Sequence, residues 1–253
     1  MYNCKFYHYE ASTQVRLYSR PIMDGGKRVR EDDEGEVSKD IKEAREQRSK
    51  ASSLNRTVNN IYAISRANRW DYFLTLTFDR NLTDSSNYDL VSKRARKWLN
   101  HIKERYCPEM WYIMVPELHK DGEHWHLHGL LGGCNHGLRL VDSGHETPSG
   151  KRIYNLDNWH YGFSTVTLVE SQNRVASYIC KYITKELVGL TPGKQRFWAS
   201  KNCLRADDVS EEIMIEDRSD FMQTIADRIS NLKSVEAPGI GLKTTYIELD
   251  MYG

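Results

Sequence analysis

Apolar and polar positions change period several times along the chain. The run Tyr72–Phe78 (Tyr-Phe-Leu-Thr-Leu-Thr-Phe) is rich in aromatic and β-branched residues and stops at Asp79, which predicts a strand. Trp111–Leu118, Trp125–Leu131 and Phe163–Val169 predict three more, the last of them central. Helical spacing rules elsewhere. Leu90, Ala95, Trp98, Leu99 and Ile102 predict a helix over Tyr88–Tyr106, and Leu54, Val58, Ile61 and Ile64 one over residues 38–68. Ser171–Leu187 predicts a third helix with Ser171 as its N-cap and Val175, Ala176, Ile179, Ile183 and Leu187 as its buried stripe. Gly132–Asn158 reads as a loop and Phe221–Leu232 as a short helix. Asp24-Gly25-Gly26 and the acidic run Glu31–Glu36 break any period near the start. The expected organisation is a weakly structured arm (1–37), a basic helical extension (38–70), a central domain (71–190) and a C-terminal extension (191–253). Mixed elements around a hairpin predict an α+β class with a largely antiparallel sheet.

The hairpin is where the pattern acquires chemistry. Asp121-Gly122 is a two-residue turn signal, since a type I′ turn needs positive φ at both central positions. With that turn, paired positions sum to 243, so Lys120 faces Glu123, His119 faces His124 and Glu117 faces His126. His128, two residues on, shares the face of His126, and directly opposed side chains share a face as well. One surface thus gathers Glu117, His126 and His128, with His119 and His124 nearer the turn, while Leu118, Trp125 and Leu127 point into a core. Two imidazoles and a carboxylate on a rigid hairpin suit a divalent cation such as Mn²⁺ or Mg²⁺. Zinc is less favoured, because no thiolate is in position.

A second cluster falls on the third helix. Tyr178 and Tyr182 are four residues apart and therefore neighbours, with Lys181 and Lys185 on the same flank of the buried stripe. A tyrosine hydroxyl can attack a phosphodiester and form a covalent link, but its ordinary pKa near 10 makes it a weak nucleophile. A metal on the phosphate and adjacent lysines would supply the missing charge stabilisation. Tyr182 lies closer to the apolar stripe, so a structural role competes more strongly there.

Composition and charge narrow the setting. Apolar residues make up 39% of 253, enough for a core, and no run approaches the ~18 residues of a membrane span. Met1–Arg20 has no apolar core of a secretory signal. Five scattered cysteines, none spaced Cys-x-x-Cys, suggest neither a zinc knuckle nor a disulfide framework, and a cytoplasmic, reducing setting is expected. Net charge is +1, yet from Lys39 to Arg69 eight bases face three acids. A second basic stretch holds Lys93, Arg94, Arg96, Lys97, Lys103 and Arg105, of which Arg94 and Lys97 are taken as DNA contacts. Solvated helix faces explain such charge equally well.

Together these motifs resemble the HUH endonucleases. His126-Leu127-His128 resembles the family's His-hydrophobic-His motif, and Tyr178-Ile-Cys-Lys-Tyr182-Ile-Thr-Lys185 its tyrosine motif. Glu117-Leu-His-Lys-Asp-Gly122 with the following histidines is similar to the metal motif of geminivirus replication initiators, whereas the doubled tyrosine resembles initiators of small single-stranded DNA phages. Leu74-Thr75-Leu76-Thr77-Phe78 resembles the first strand motif, and Phe197-Trp198-Ala199-Ser200 is in the style of phage and plasmid replication-associated proteins. The likeness covers roughly residues 70–187.

The resemblance implies a central antiparallel sheet of about five strands, RRM-like or ferredoxin-like. It implies a rolling-circle replication initiator in a bacterial host, which nicks and rejoins single-stranded DNA at an origin through a 5′-phosphotyrosine. Glu117, His126 and His128 would hold the metal. Tyr178 would be the primary nucleophile, Tyr182 a second nucleophile or a rim residue, and Lys181 and Lys185 phosphate contacts. His124 stays open as an extra ligand, because the histidines allow two registers. No Walker-type phosphate loop occurs, so a host helicase and polymerase would be partners. The competing readings are an HUH relaxase or single-strand transposase, a non-catalytic nucleic-acid-binding module on the same sheet, and a phosphoesterase that uses water.

Overall fold

The computed structural model describes residues 1–10, 12–23, 39–134, 137–183, 185–191, 193–237 and 241–250. The chain forms two compact units, one from Met1–Lys39 with Leu204–Gly253 and one from Asp40–Cys203. Each contains an antiparallel sheet, which makes the protein α+β as expected.

The first correction concerns the N-terminal arm. Residues 1–37 hold two strands, β1 (Tyr2–His8) and β2 (Ser12–Ile22); 24–37 lie outside the described residues. The reason is long-range pairing, which no local window exposes: Cys4 pairs with Ile213, and Val15 with Ile247.

The second unit carries the site. The basic segment is a helix, α1 (Lys39–Ala67), which puts Ile61 and Ile64 in the core. Strand β3 (Tyr72–Thr77) leads into α2 (Tyr88–Arg105), whose N-cap Asn87 accepts from the N–H groups of Asp89 and Leu90. Helix α2 buries Val91, Ala95, Trp98, Leu99 and Ile102, the stripe its sequence predicts. The hairpin strands are β4 (Trp111–Leu118) and β5 (Trp125–Gly132).

Residues 132–158 are not a loop. They contain β6 (Leu140–Glu146) and β7 (Arg152–Leu156), a ribbon in which only Leu156 is buried. With nearly every side chain at least partly exposed, backbone bonds hold the ribbon and leave no period-two apolar signal. The fourth expected strand is β8 (Ser164–Leu168).

The expected single helix over Ser171–Leu187 is broken. It runs as α3 (Gln172–Ile179), tightens into a 3-10 turn at Cys180–Tyr182, and resumes as α4 (Lys185–Leu190). Ser171 does cap it, accepting from the Arg174 N–H. The break falls at Ile183, which is extended (φ −89°, ψ 99°) so that its side chain can bury. Packing overrides helix propensity here.

A short β9 (Trp198–Ala199) completes the sheet, in the order β6-β7-β8-β3-β5-β4-β9. That makes seven strands among the described residues rather than about five. Strand β3 is the middle one, and β8 lies one place to its side. The first unit's sheet adds β10 (Ser210–Ile213), β11 (Ile229–Ala237) and β12 (Leu242–Asp250), with α5 (Arg218–Ile225) where a helix over Phe221–Leu232 was expected. Its order is β10-β1-β2-β12-β11, and Cys4, Val15, Leu17, Ile225, Ile247 and Leu249 form its core. No helix among the described residues is long and apolar enough to cross a membrane.

The cysteines also differ from expectation. Cys107, just after α2, and Cys134, just after β5, form a disulfide, whereas Cys4, Cys180 and Cys203 are free thiols. A separation of 27 residues carries no signature in sequence; the return of the chain through α2, β4 and β5 brings the two together. Thiol titration of the unfolded, unreduced protein is expected to find three thiols rather than five. Reduction should lower the denaturant midpoint by the equivalent of about 3–4 kcal/mol, the chain-entropy expectation for such a loop. A Cys107→Ser/Cys134→Ser variant should not respond to reductant.

Candidate metal and tyrosine site

The β4–β5 register is the one the hairpin predicts: Leu118 pairs with Trp125, Glu117 with His126 and Val115 with His128. The turn itself differs. Among the described residues only glycines have positive φ, so Asp121 does not take the conformation a type I′ turn requires. Instead the Gly122 N–H donates to the His119 carbonyl at 2.9 Å, and Gly122 alone turns left-handed at φ 76°. Asp121 Oδ1 caps the turn by accepting from the Glu123 and His124 N–H groups at 3.0 and 3.1 Å.

That carboxylate also settles the outer histidines. Asp121 Oδ2 lies 2.9 Å from His124 Nδ1, 3.2 Å from His119 Nδ1 and 3.0 Å from the Arg80 guanidinium. The Glu123 N–H first, then the His124 N–H and imidazole, hold the Asp121 carboxyl well below the usual range. His124, open as an extra ligand in the sequence, is thus tied to the turn.

The inner histidines are anchored from the neighbouring strand. In the β3–β5 ladder Thr75 opposes His128 and Thr77 opposes His126. Each threonine Oγ1 lies 3.0 Å from the Nδ1 of its partner. A hydroxyl can donate or accept, so it fixes either tautomer and holds the ring with Nε2 turned away. Sequence reading missed both threonines. The signal was present in Thr75-Leu-Thr77, whose period of two matches His126-Leu-His128 once the strands are paired.

Glu117 reaches diagonally rather than straight across. Its Oε2 lies 2.7 Å from His128 Nε2, while the His126 ring stacks on His119 at 4.7 Å. Burial, followed by the neighbouring His119 and His128, keeps the His126 imidazole below its ordinary pKa, which favours the neutral form a metal needs. Among the described residues, no group of three His, Cys, Asp or Glu side chains is gathered tightly enough to hold a metal ion. The donor chemistry suits a divalent cation, and all three groups stand on one sheet face. Two of them, Glu117 and His128, already touch.

Helix α3 and the following turn lie over that face. The Tyr182 ring stacks on His128 with centroids 3.6 Å apart, and Phe73 meets Tyr178 edge-on at 5.1 Å. Tyr178 and Tyr182 meet at 5.6 Å. Tyr178 is 43% exposed, whereas Tyr182 is half-buried and packs against the core. Burial, then the hydrogen bond to the Tyr178 hydroxyl, push the Tyr182 phenol well above its ordinary pKa. The Lys181 ammonium lies over the Tyr178 ring at 5.0 Å. The Lys185 side chain lies outside the described residues.

Two expected contacts are not part of this cluster. Arg94 and Lys97 ride on α2, which packs through Tyr88 against Trp125, on the opposite face from His126. The Arg94 guanidinium rests on the Tyr161 ring at 4.9 Å instead. Helical spacing alone gave their helix face but not the side of the sheet that the helix covers.

Comparison with curated proteins and with solved structures gives no match for this chain. Residues 71–187, which contain every donor and both tyrosines of the site, match a family model for replication-associated proteins of the ORF2 type.

Proposed function

We propose that this protein is a rolling-circle replication initiator of the HUH type, which nicks and rejoins single-stranded DNA through Tyr178. The observation that carries the reading is the meeting of two motifs on one sheet face: Tyr182 stacked on His128, Tyr178 beside it, and Glu117 bonded to the same imidazole. The family match over residues 71–187 supports a role in replication.

The residues divide the work by exposure. Tyr178 is the nucleophile because its ring is open to solvent and substrate. Tyr182 stays protonated and donates to the Tyr178 oxygen, which eases negative charge onto that oxygen. Lys181, over the Tyr178 ring, offsets charge on the scissile phosphate. In the forward step the Tyr178 oxygen bonds to phosphorus as its proton is lost. The bond to the 3′ oxygen breaks, and that oxygen takes up a proton to become a 3′-hydroxyl. Attack by a 3′-hydroxyl on the phosphotyrosine reverses the sequence and rejoins the strand.

Glu117, His126 and His128 would hold the divalent cation, Mn²⁺ or Mg²⁺, which when bound polarises the scissile phosphate. Thr75 and Thr77 serve both chemical states of the histidines. Without a ligand on Nε2, His128 can donate to Glu117 and accept at Nδ1; with one, Nδ1 must carry the proton and donate to the threonine. The sheet order β8-β3-β5-β4 in this unit is compatible with the RRM-like type that the motifs imply.

Tyr178→Phe should abolish the covalent adduct with a labelled oligonucleotide in Mn²⁺, read as a shifted band on a denaturing gel. Tyr182→Phe should retain it at a reduced rate. Adducts that persist in the double variant would remove tyrosine from the mechanism. EDTA should stop the reaction in the wild type. Thr77→Val, which keeps shape and removes the hydroxyl, should raise the Mn²⁺ concentration needed for half-maximal nicking about 10–100-fold. Its rate at saturating metal should approach that of the wild type; an unchanged metal requirement would count against the anchoring role.

A further inference from the structure

The row of side chains that holds Glu117 and His126 does not end at Thr77. The β3–β8 register pairs Thr75 with Thr165 and Leu76 with Ser164, and the Thr77 N–H donates to the Phe163 carbonyl at 2.8 Å. The next opposed pair is therefore Thr77 and Phe163, and opposed side chains share a face. Phe163 stands on the histidine face, two strands from His126, a span of about 10 Å. Its ring is 74% exposed, more than any other large apolar side chain among the described residues of this unit. Thr165, on the same face, is also exposed.

The backbone beneath this ring is clamped. Gly162 has φ 152°, and a Cβ there would lie 2.3 Å from the Thr77 carbonyl oxygen and 2.4 Å from the Asp79 nitrogen. Only glycine allows that approach. Hydrogen bonds on either side, Asp79 N–H to the Tyr161 carbonyl and Thr77 N–H to the Phe163 carbonyl, are both 2.8 Å. Phe163 is thus an apolar ring presented to solvent from a rigid edge of the site rather than from a loose loop. A cation is close in sequence and space, because Arg94 rests on Tyr161, two residues away.

We propose that Phe163 is a stacking platform for an unpaired base next to the phosphate at Tyr178, with Arg94 favouring the adjoining backbone. This rests on the reading of the site as a single-strand nickase. Every base has a π-face, so the contact carries little sequence preference. It does select unpaired strand over duplex, whose bases are already stacked on one another.

The test compares a thymidylate strand of about 16 nucleotides, at the upper range of single-strand site sizes, with an all-abasic strand of equal length. The wild type should prefer the thymidylate strand. Phe163→Ala should reduce that preference about tenfold, as expected for loss of one base–aromatic stack, and leave affinity for the abasic backbone unchanged. Phe163→Tyr should restore the preference. Because the ring is exposed, the thermal midpoint of Phe163→Ala should match the wild type, and its adduct yield at saturating strand should too. An unchanged preference in Phe163→Ala would overturn the proposal, and is the result expected if the ring packs a protein partner. Equal losses on both strands would also overturn it. If that happens while the Tyr178 adduct still forms, only this contact falls; if the wild type neither binds nor links to single strands, the nickase reading falls with it.

Discussion

The site depends on the backbone register of three strands. Because side chains alternate across a sheet, a slip of one residue between β3, β5 and β4 would send His126 and His128 into the core and bring Trp125 and Leu127 to the surface. Apolar burial forbids the slip: Leu74, Leu76, Leu127 and Met114 are fully buried on the other side. Fully burying such side chains contributes about 1.5–3 kcal/mol each, far more than a hydrogen bond on the open face. The core therefore sets the positions of the polar groups, and the polar groups need only be chosen to match.

That arrangement lets the two faces of one sheet do different work. On the Trp125 side, α2 closes the core through Tyr88, and Trp98 meets Trp159 edge-on. On the histidine side, hydroxyls from β3 fix the imidazoles, Glu117 meets His128, and the tyrosine segment is laid across the top. The stack of Tyr182 on His128 links the groups expected to bind metal to the segment expected to supply the nucleophile. The 3-10 turn at Cys180–Tyr182 is part of this link, since it occurs where Tyr182 meets the sheet and Ile183 enters the core.

Much of this was legible in the chain because the decisive signals are local. The Asp121-Gly122 turn gave the correct pairing of Glu117 with His126 even though the turn conformation itself differs, because register follows loop length as well as turn type. The strands over Tyr72–Thr77 and Trp111–Leu118 carry dense aromatic and β-branched residues. What escaped was either non-local or weakly apolar. Strands β1 and β2 find partners some 200 residues away, the β6–β7 ribbon buries almost nothing, and Cys107 meets Cys134 only after the chain has doubled back. Thr75 and Thr77 were visible as strand residues, but their role emerges only when β3 is laid beside β5.

The central claim, that Tyr178 rather than Tyr182 or water attacks the phosphate, has a direct test in the chain itself. Trypsin cuts after Arg174, Lys181 and Lys185, so the two tyrosines fall on different peptides, Val175–Lys181 and Tyr182–Lys185. Mass spectrometry of the wild-type protein digested after reaction with a single-stranded oligonucleotide in Mn²⁺ should find the nucleotide on the Val175–Lys181 peptide at Tyr178. A nucleotide confined to the Tyr182 peptide, or cleaved DNA with no modified peptide at all, would contradict the account.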